Sequence, residues 1–491
     1  MKKSNFSVPD EVSQVTKTLQ KAGFEAYLVG GCVRDLLLER TPKDWDVTTN
    51  ATPDEIIALF PKTFYENTFG TVGVVNEKEG IDPTLQIVEV TPYRLETTYS
   101  DNRHPDAVMF SKNIEDDLKR RDFTINAIAL DTDKGQIIDP YKGQEAIRAN
   151  IIEAVGEADE RFKEDALRIL RAVRLATELR FTINVLTEKA IKSDVSLLKN
   201  IAKERIRDEF VRIIMSKNPM DGLLMAQKLG LLSFIAPDLE KGIGMAQPQA
   251  HAYDVWEHLL RTVQHAADKE WPLELRLAAL FHDIAKPHTR RPGGKGEWTF
   301  YGHEVVGARV TKKILENLRF PRKVIDDVTN LVRWHMFFSD TEQITLSAVR
   351  RMITNVGKEN IWTLMNLRIC DRVGTGRPKE NPYRLRKYKA MIEEALRDPL
   401  TVGMLAIDGK DLMEKVKLAP GPKIGHILHA LLEEVLENPK LNTEEYLIER
   451  AGELSKLDET ELKKKGEEGR IRKDEEEEKS IGEIKKKHWV K

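Results

Sequence analysis

Strand signals stop near residue 150, and this change of pattern limits the folds open to the chain more than any other feature. Before it, short β-branched runs alternate with amphipathic stretches; after it, apolar residues recur at helical spacing almost unbroken to about residue 450. The expected fold class is therefore α+β: an N-terminal head with a mixed β-sheet and helices, followed by an all-α neck and body and further all-α segments. The length of 491 residues suits about three domains, and 41% hydrophobic residues are enough to bury real cores.

In the head, residues 8–22 predict an amphipathic helix ending at Gly23, and EAYLVGG (25–31) a buried strand running into a glycine turn. CVRDLLLER (32–40) opens a helix and WDVTT (45–49) reads as a strand. TPDEIIALF predicts a helix with Thr52 as N-cap and Glu55 three residues on. TVGVVNEK (71–78) and TLQIVEVTPY (84–93) are further strands. Composition and pattern divide the chain into a head over 1–150, a helical neck and body over 151–250, a helical block over 251–375 and a helical C-terminal region over 376–455. The final stretch, 456–491, carries 23 charged residues among 36 and no usable apolar face, so disorder is expected there.

Lys and Arg number 78 against 80 Asp and Glu, a net charge of −2, so overall basicity gives no argument for nucleic-acid binding. Locally the balance differs: residues 160–217 hold 14 Lys/Arg against 9 Asp/Glu. Only Cys32 and Cys370 are present, which excludes a disulfide framework and a Cys-rich zinc site. No leader pattern follows MKKSNFSVPDEV and no run of 18 apolar residues occurs, so a soluble, cytoplasmic protein is expected.

Three segments of the first 180 residues carry chemistry. In LVGGCVRDLLLERTPKDWDV, Asp44 and Asp46 stand two apart at the mouth of a strand, placing their carboxylates on one face roughly 6–7 Å apart. Two hard oxygen ligands so placed can hold Mg²⁺ beside substrate phosphates. Gly30 and Gly31 let backbone N–H groups approach a triphosphate, with Arg34 as counter-charge. The same DxD pattern also suits a solvated turn; the glycine pair and Arg34 favour the metal. Glu89 on the IVEV strand is a third carboxylate that could complete such a site. DLKRRDFTINAIAL (117–130) sets Arg120, Arg121 and Asp122 before an apolar run, a pattern equally suited to a capped helix start with an exposed arginine pair. In EDALRILRAVRLA (164–176), Asp165, Arg168, Arg171 and Arg174 recur every third residue as a stripe on one helix. An acid and a guanidinium one turn apart can meet the Watson–Crick edge of a base as acceptor and donor; they can equally form an i,i+3 surface ion pair.

Together, GGCVRD, DWD, RRDFTINA and EDALRILRAVRLA resemble the ordered motifs of the class II tRNA nucleotidyltransferases, the CCA-adding enzymes and their relatives the bacterial poly(A) polymerases. The resemblance covers about residues 25–215. It implies that Gly31 and Arg34 contact the nucleotide triphosphate and that Asp44 and Asp46 bind Mg²⁺ as the catalytic pair. One of Arg120 and Arg121, with Arg121 favoured, would join the nucleotide site. Asp165 and Arg168 would read the incoming CTP or ATP, with Arg171 and Arg174 close by. The tRNA 3′-hydroxyl would attack the α-phosphate and release pyrophosphate. YRLETTYSDNRHPDAV (93–108) resembles the flexible loop of CCA-adding and A-adding members, which argues against a CC-only activity.

The helical part holds His258, His282, Asp283, His303, His335 and Asp371. Any one histidine suits a structural role, but imidazoles with an adjacent carboxylate also suit Mn, Ni, Fe or Zn. The order H…HD…D over His258, His282, Asp283 and Asp371 resembles the HD phosphohydrolase superfamily, with His303 and His335 matching the extra histidines of its two-metal members. Lys286 beside the HD pair is placed to meet a phosphate, or is an ordinary surface lysine. The resemblance implies tRNA, CTP and ATP as partners. An A-adding enzyme would share every motif; an HD phosphohydrolase with an inactive head is the alternative from another class.

Overall fold

The computed structural model describes residues 6–65, 70–78, 80–96, 108–247, 252–293, 298–337, 344–458 and 461–462. Most of the loop expected over 93–108 and most of the charged tail expected over 456–491 lie outside these described residues. The chain divides into two compact units, 1–237 with 317–319, and 238–316 with 320–491.

The first unit opens with α1 (Asp10–Lys21), whose buried Val12, Val15 and Leu19 line one face; Gly23, at φ +93°, breaks the helix. β1 (Ala26–Val29), α2 (Gly31–Leu37), β2 (Asp46–Thr49) and α3 (Pro53–Leu59) follow. Thr52 caps α3 as its sequence predicts: its hydroxyl accepts from the Glu55 amide while the Glu55 side chain accepts from the Thr52 amide. Next come β3 (Thr63–Tyr65), β4 (Val72–Val75), β5 (Ile87–Pro92), β6 (Arg94–Glu96), β7 (Val108–Phe110), α4 (Ile114–Lys119), β8 (Ala129–Leu130) and β9 (Ile137–Ile138). Seven strands form one sheet in the order β3-β4-β5-β2-β1-β8-β9. β2 and β5 run parallel and the other pairs antiparallel. The β2–β5 register sets Asp46 directly beside Glu89. Val29, Tyr93, Ile114, Leu118 and Ala129 form a buried cluster that seats α4.

Beyond the sheet the unit is helical, though two 2-residue strands appear where the sequence gave no strand signal. The order is α5 (Gly143–Ala149), β10 (Ile151–Ile152), α6 (Ala158–Glu164), α7 (Leu167–Leu179) and β11 (Thr182–Ile183), then α8 (Val185–Asp194), α9 (Lys203–Met215), α10 (Pro219–Lys228) and α11 (Leu232–Ile235). β10 and β11 pair in parallel, bracketing α7. α7 is buried on most sides, Arg168 and Arg174 included, and packs against α9 and α10.

In the second unit, α12 (Val255–Asp268), α13 (Leu273–Phe281) and α14 (Lys286–Thr289) lead to a hairpin of β12 (Arg291–Pro292) and β13 (Trp298–Thr299). α15 (His303–Asn317), α16 (Arg322–Trp334), α17 (Leu346–Val356) and α18 (Ile361–Gly374) complete this group. α19 (Tyr383–Ala395), α20 (Gly409–Lys415), α21 (Pro422–Glu437) and α22 (Glu444–Leu454) follow. α12 packs on α13 and α18, and α13 on α16. α12 and α18 meet where Gly374 has no side chain: a Cβ there would lie 2.1 Å from Thr262 Oγ1. Among the described residues, no helix is long and apolar enough to cross a membrane.

Candidate nucleotidyl-transfer site and metal cluster

The glycine turn after β1 organises the first site. Gly30, at φ +82° and ψ −136°, holds a backbone conformation open to glycine and closed to most residues. Its missing side chain matters too. A Cβ on Gly30 would sit 3.0 Å from Arg121 Nη1 and 3.5 Å from Asp46 Oδ2, and one on Gly31 would sit 3.6 Å from Arg34 Nη2 and 3.9 Å from Asp44 Oδ1. Gly30, Gly31, Arg34, Asp44, Asp46 and Arg121 therefore converge on one point, with Glu89 beside Asp46 across the sheet. Asp44 is exposed and Asp46 half-buried. Among the described residues, the buried Nε–H of Arg121 has no hydrogen-bond partner. A cluster of carboxylates and an under-satisfied guanidinium at a glycine turn fits a divalent cation with a polyphosphate.

Behind this point the arginines are held by Asp35, Asn126, Asp117 and Asp122, of which the sequence pattern marked only Asp122. Arg34 donates through Nη1 to Asn126 Oδ1 at 2.8 Å and through Nε and Nη2 to Asp35. Asn126 Nδ2 donates to Asp122 Oδ1 at 3.0 Å, and Asp122 Oδ2 accepts from Arg171 Nε and lies 2.7 Å from its Nη2. Burial would raise the Asp122 carboxyl, but Arg171, Asn126 and Arg168 outweigh it and hold the group well below the usual carboxylate range. Asp117, fully buried, receives both Arg120 and Arg121.

The stripe expected on one helix is interrupted. Asp165 precedes α7, extended at φ −138° and ψ 103°, and its carboxylate accepts the Leu167 amide at 3.0 Å as a capping group. It is not paired with Arg168 but with Arg205 of α9, at 2.8 Å and 3.3 Å. Arg168 donates to Glu164 Oε2 at 2.6 Å and to the Arg120 carbonyl at 2.9 Å. Arg174 is buried against Glu209, 2.7 Å away, and is not brought to the glycine turn. A helical period cannot show these pairings, since their partners stand on other elements.

The second cluster gathers all six residues expected of it. His258 lies on α12, His282 and Asp283 at the end of α13, His303 at the start of α15, His335 at the end of α16 and Asp371 on α18; all six are buried. The Nδ1 atoms of His282, His303 and His335 lie 2.9, 2.7 and 2.7 Å from the carbonyls of Ala279, Phe300 and Val332. A carbonyl only accepts, so each of these Nδ1 atoms carries a proton, and each ring turns its Nε2 into the cluster. The Nε2 atoms face one another: those of His258 and His282 are 3.0 Å apart, those of His303 and His335 3.3 Å. Two triads result, His258–His282–Asp283 and Asp283–His303–His335, and Asp283 is common to both. Asp371 Oδ1 lies 3.4 Å from His258 Nε2. Burial would raise the Asp283 and Asp371 carboxyls, but Lys286 and the histidines hold the first well down, and Arg368 with the histidines the second. Buried imidazole Nε2 atoms that face one another beside ionised carboxylates fit a divalent metal. Lys286 is buried, 2.5 Å from Asp283 Oδ2 and from Gln247 Oε1, so it is no surface lysine.

Comparison with known proteins bears on both sites. Residues 26–153 match the poly A polymerase head domain, 180–243 the probable RNA- and SrmB-binding site of polymerase A, and 255–362 the HD domain. The chain is 33% identical over 449 residues to the CCA-adding enzyme of Geobacillus thermodenitrificans, covering 89% of this chain and 96% of that one. The chain belongs to the CCA-adding enzymes. As such it is a tRNA nucleotidyltransferase. The CCA-adding enzyme of Lactobacillus helveticus is 50% identical over 200 residues, 40% of this chain and 48% of that one. The crystal structure of the Bacillus stearothermophilus CCA-adding enzyme in complex with CTP is similar at TM-score 0.68 and 29% identity, covering 91% of this chain and 98% of that one. In this member of the family, Asp165 to Arg174 fall between the head and RNA-binding matches, and Asp371 falls beyond the HD match.

Proposed function

We propose that the chain adds C, C and A in turn to tRNA 3′ ends from CTP and ATP in the cytoplasm, releasing pyrophosphate at each step. The observation that carries this reading is the convergence of Asp44, Asp46, Arg34 and Arg121 on the Gly30–Gly31 turn. Asp44 and Asp46 would hold Mg²⁺, with Glu89 next to them. When bound, that ion neutralises charge developing at the α-phosphate and lowers the pKa of the attacking 3′-hydroxyl. Gly30 and Gly31 leave room for phosphate oxygens, and Arg34 and Arg121 supply fixed positive charge to them.

Asp165 and Arg168 select the base. Asp165 offers an acceptor to the exocyclic amino group that cytosine and adenine share, and Arg168 donates to a ring acceptor. The Asp122–Arg171 pair ties α7 to the segment carrying Asn126 and, through it, Arg34. We assign residues 1–150 to transfer chemistry, 151–250 to nucleotide selection and tRNA contact, and 376–455 to a further helical body.

For residues 251–375, the shared Asp283 of the two triads favours a second activity, a metal-dependent phosphohydrolase holding Mn, Ni, Fe or Zn. The deciding experiment offers CTP and ATP to three tRNAs ending before CCA, after C and after CC. Extension of all three to CCA is expected. Addition of a single A to the CC-ended tRNA alone would instead make this an A-adding enzyme.

A further inference from the structure

Asp117 belongs to neither the metal-binding pair nor the base-selecting pair, yet it is fully buried and touches the framework of both. It lies on α4, three and four residues before Arg120 and Arg121, so one carboxylate reaches both guanidinium groups. Oδ1 accepts from Arg120 Nε at 2.9 Å and Nη2 at 2.6 Å. Oδ2 accepts from Arg121 Nη2 at 2.9 Å and from the Thr48 hydroxyl at 3.2 Å. Thr48 and Asp46 stand two apart on β2, and so share one face of the sheet. Asp117 thus spans the distance between the strand that carries Asp46 and the arginine whose Nη1 lies beside Gly30 and Asp46 Oδ2. On its other side it fixes Arg120, whose carbonyl accepts from Arg168 Nη2 at 2.9 Å.

We propose that Asp117 is a positioning residue for nucleotidyl transfer: it holds the Arg121 guanidinium at the triphosphate and registers Arg120 under the base-selecting Arg168. The chemistry favours this over simple packing. Arg121 meets Asp117 through Nη2, which leaves its Nη1 beside Gly30, where an incoming polyphosphate would meet it. Among the described residues, the Nε–H of Arg121 has no partner even though the side chain is anchored. An arginine meant only to neutralise Asp117 would turn that donor toward it as well, as Arg120 does. The inference rests on the reading of Arg121 as a nucleotide-binding group.

The test measures kcat and KM for CTP, and the Kd for tRNA, in the full chain carrying Asp117→Asn, Arg121→Ala or both. Asp117→Asn should lower kcat/KM for CTP about 10²-fold, the cost of a misplaced catalytic contact, with tRNA Kd within about twofold. In the Arg121→Ala background the same change should cost several-fold less than in the parent, because only the hold of Asp117 on Arg120 remains to be lost. Turnover within about threefold of the parent, or full additivity of the two changes, overturns the inference. Where Asp117→Asn unfolds the head, Thr48→Val supplies the reading: KM for CTP should rise several-fold, and an unchanged KM refutes the role. A silent Arg121→Ala removes the underlying assignment of Arg121, and that result is separate from silence of Asp117→Asn alone.

Discussion

Replacing Asp122 by Asn tests whether the link between α7 and the glycine turn is electrostatic. Asp122 Oδ1 accepts from the Phe123 amide and Asn126 Nδ2, while Oδ2 takes Arg171 through Nε at 2.8 Å and Nη2 at 2.7 Å. An amide can keep the first two bonds through its oxygen but turns an NH₂ toward a guanidinium. One charge-assisted hydrogen bond, nominally about 1.5–3 kcal/mol, and the ion-pair contact beside it are lost. Arg171 is 36% exposed, so water recovers much of this. A net loss of about 2 kcal/mol remains, a roughly 30-fold increase in local opening. Hydrogen exchange read by mass spectrometry over residues 114–130 and 160–180 should show protection falling by that factor. The folded carboxyl titrates below its unfolded value of about 3.9. Its contribution is therefore complete above that value and is lost as pH falls through the depressed folded one. The gap between parent and variant should stay flat from about pH 5 to 8 and narrow below about pH 4. A gap under about 0.5 kcal/mol, or one that widens on acidification, would refute the reasoning.

Asp44→Ala or Asp46→Ala should abolish nucleotide incorporation while thermal unfolding stays near the parent's; retained incorporation would remove the metal assignment. Arg168→Ala should relax the choice among nucleoside triphosphates more than it weakens tRNA binding, so incorporation of GTP and UTP beside CTP and ATP is the measurement, and unchanged discrimination counts against base selection. Asp283→Ala removes the ligand common to both triads. It should therefore strip bound divalent metal, read by elemental analysis, and abolish metal-dependent phosphohydrolysis while CCA addition persists; loss of both activities would mean the two sites are coupled.

Features that depend on near neighbours were legible in the sequence. The Thr52–Glu55 cap, the glycine break after α1 and the apolar runs of β1, β2 and β5 are set within a few residues, and the structure keeps them. The six histidines and aspartates of the second cluster were visible as residue types, but that α12, α13, α15, α16 and α18 bring them together is a matter of helix packing. What escaped depends on distant partners. Arg205 takes Asp165 from 40 residues away, Asp122 takes Arg171 from 49 and Asn126 takes Arg34 from 92. No periodicity encodes such pairs. The even spacing of Asp165 with Arg168 suggested one continuous helix, but the backbone turns at Asp165 so that its side chain caps α7. Asp117 passed unnoticed for a related reason: beside Asp116 it reads as one more acid on a surface helix, and only its burial separates the two.

The parallel pairing of β2 with β5 fixes when the head can begin to work. Asp44 and Asp46 leave the ribosome early, but Glu89 comes into register with Asp46 only after the intervening β3–β4 ribbon has been made and folded back. Arg121 arrives later still. A nascent chain that ends before these segments carries the acidic pair without the frame that gives it a use. The site is thus assembled by long-range strand pairing, the slow part of folding, and the base-selecting Asp165 and Arg168 are added to it last of all.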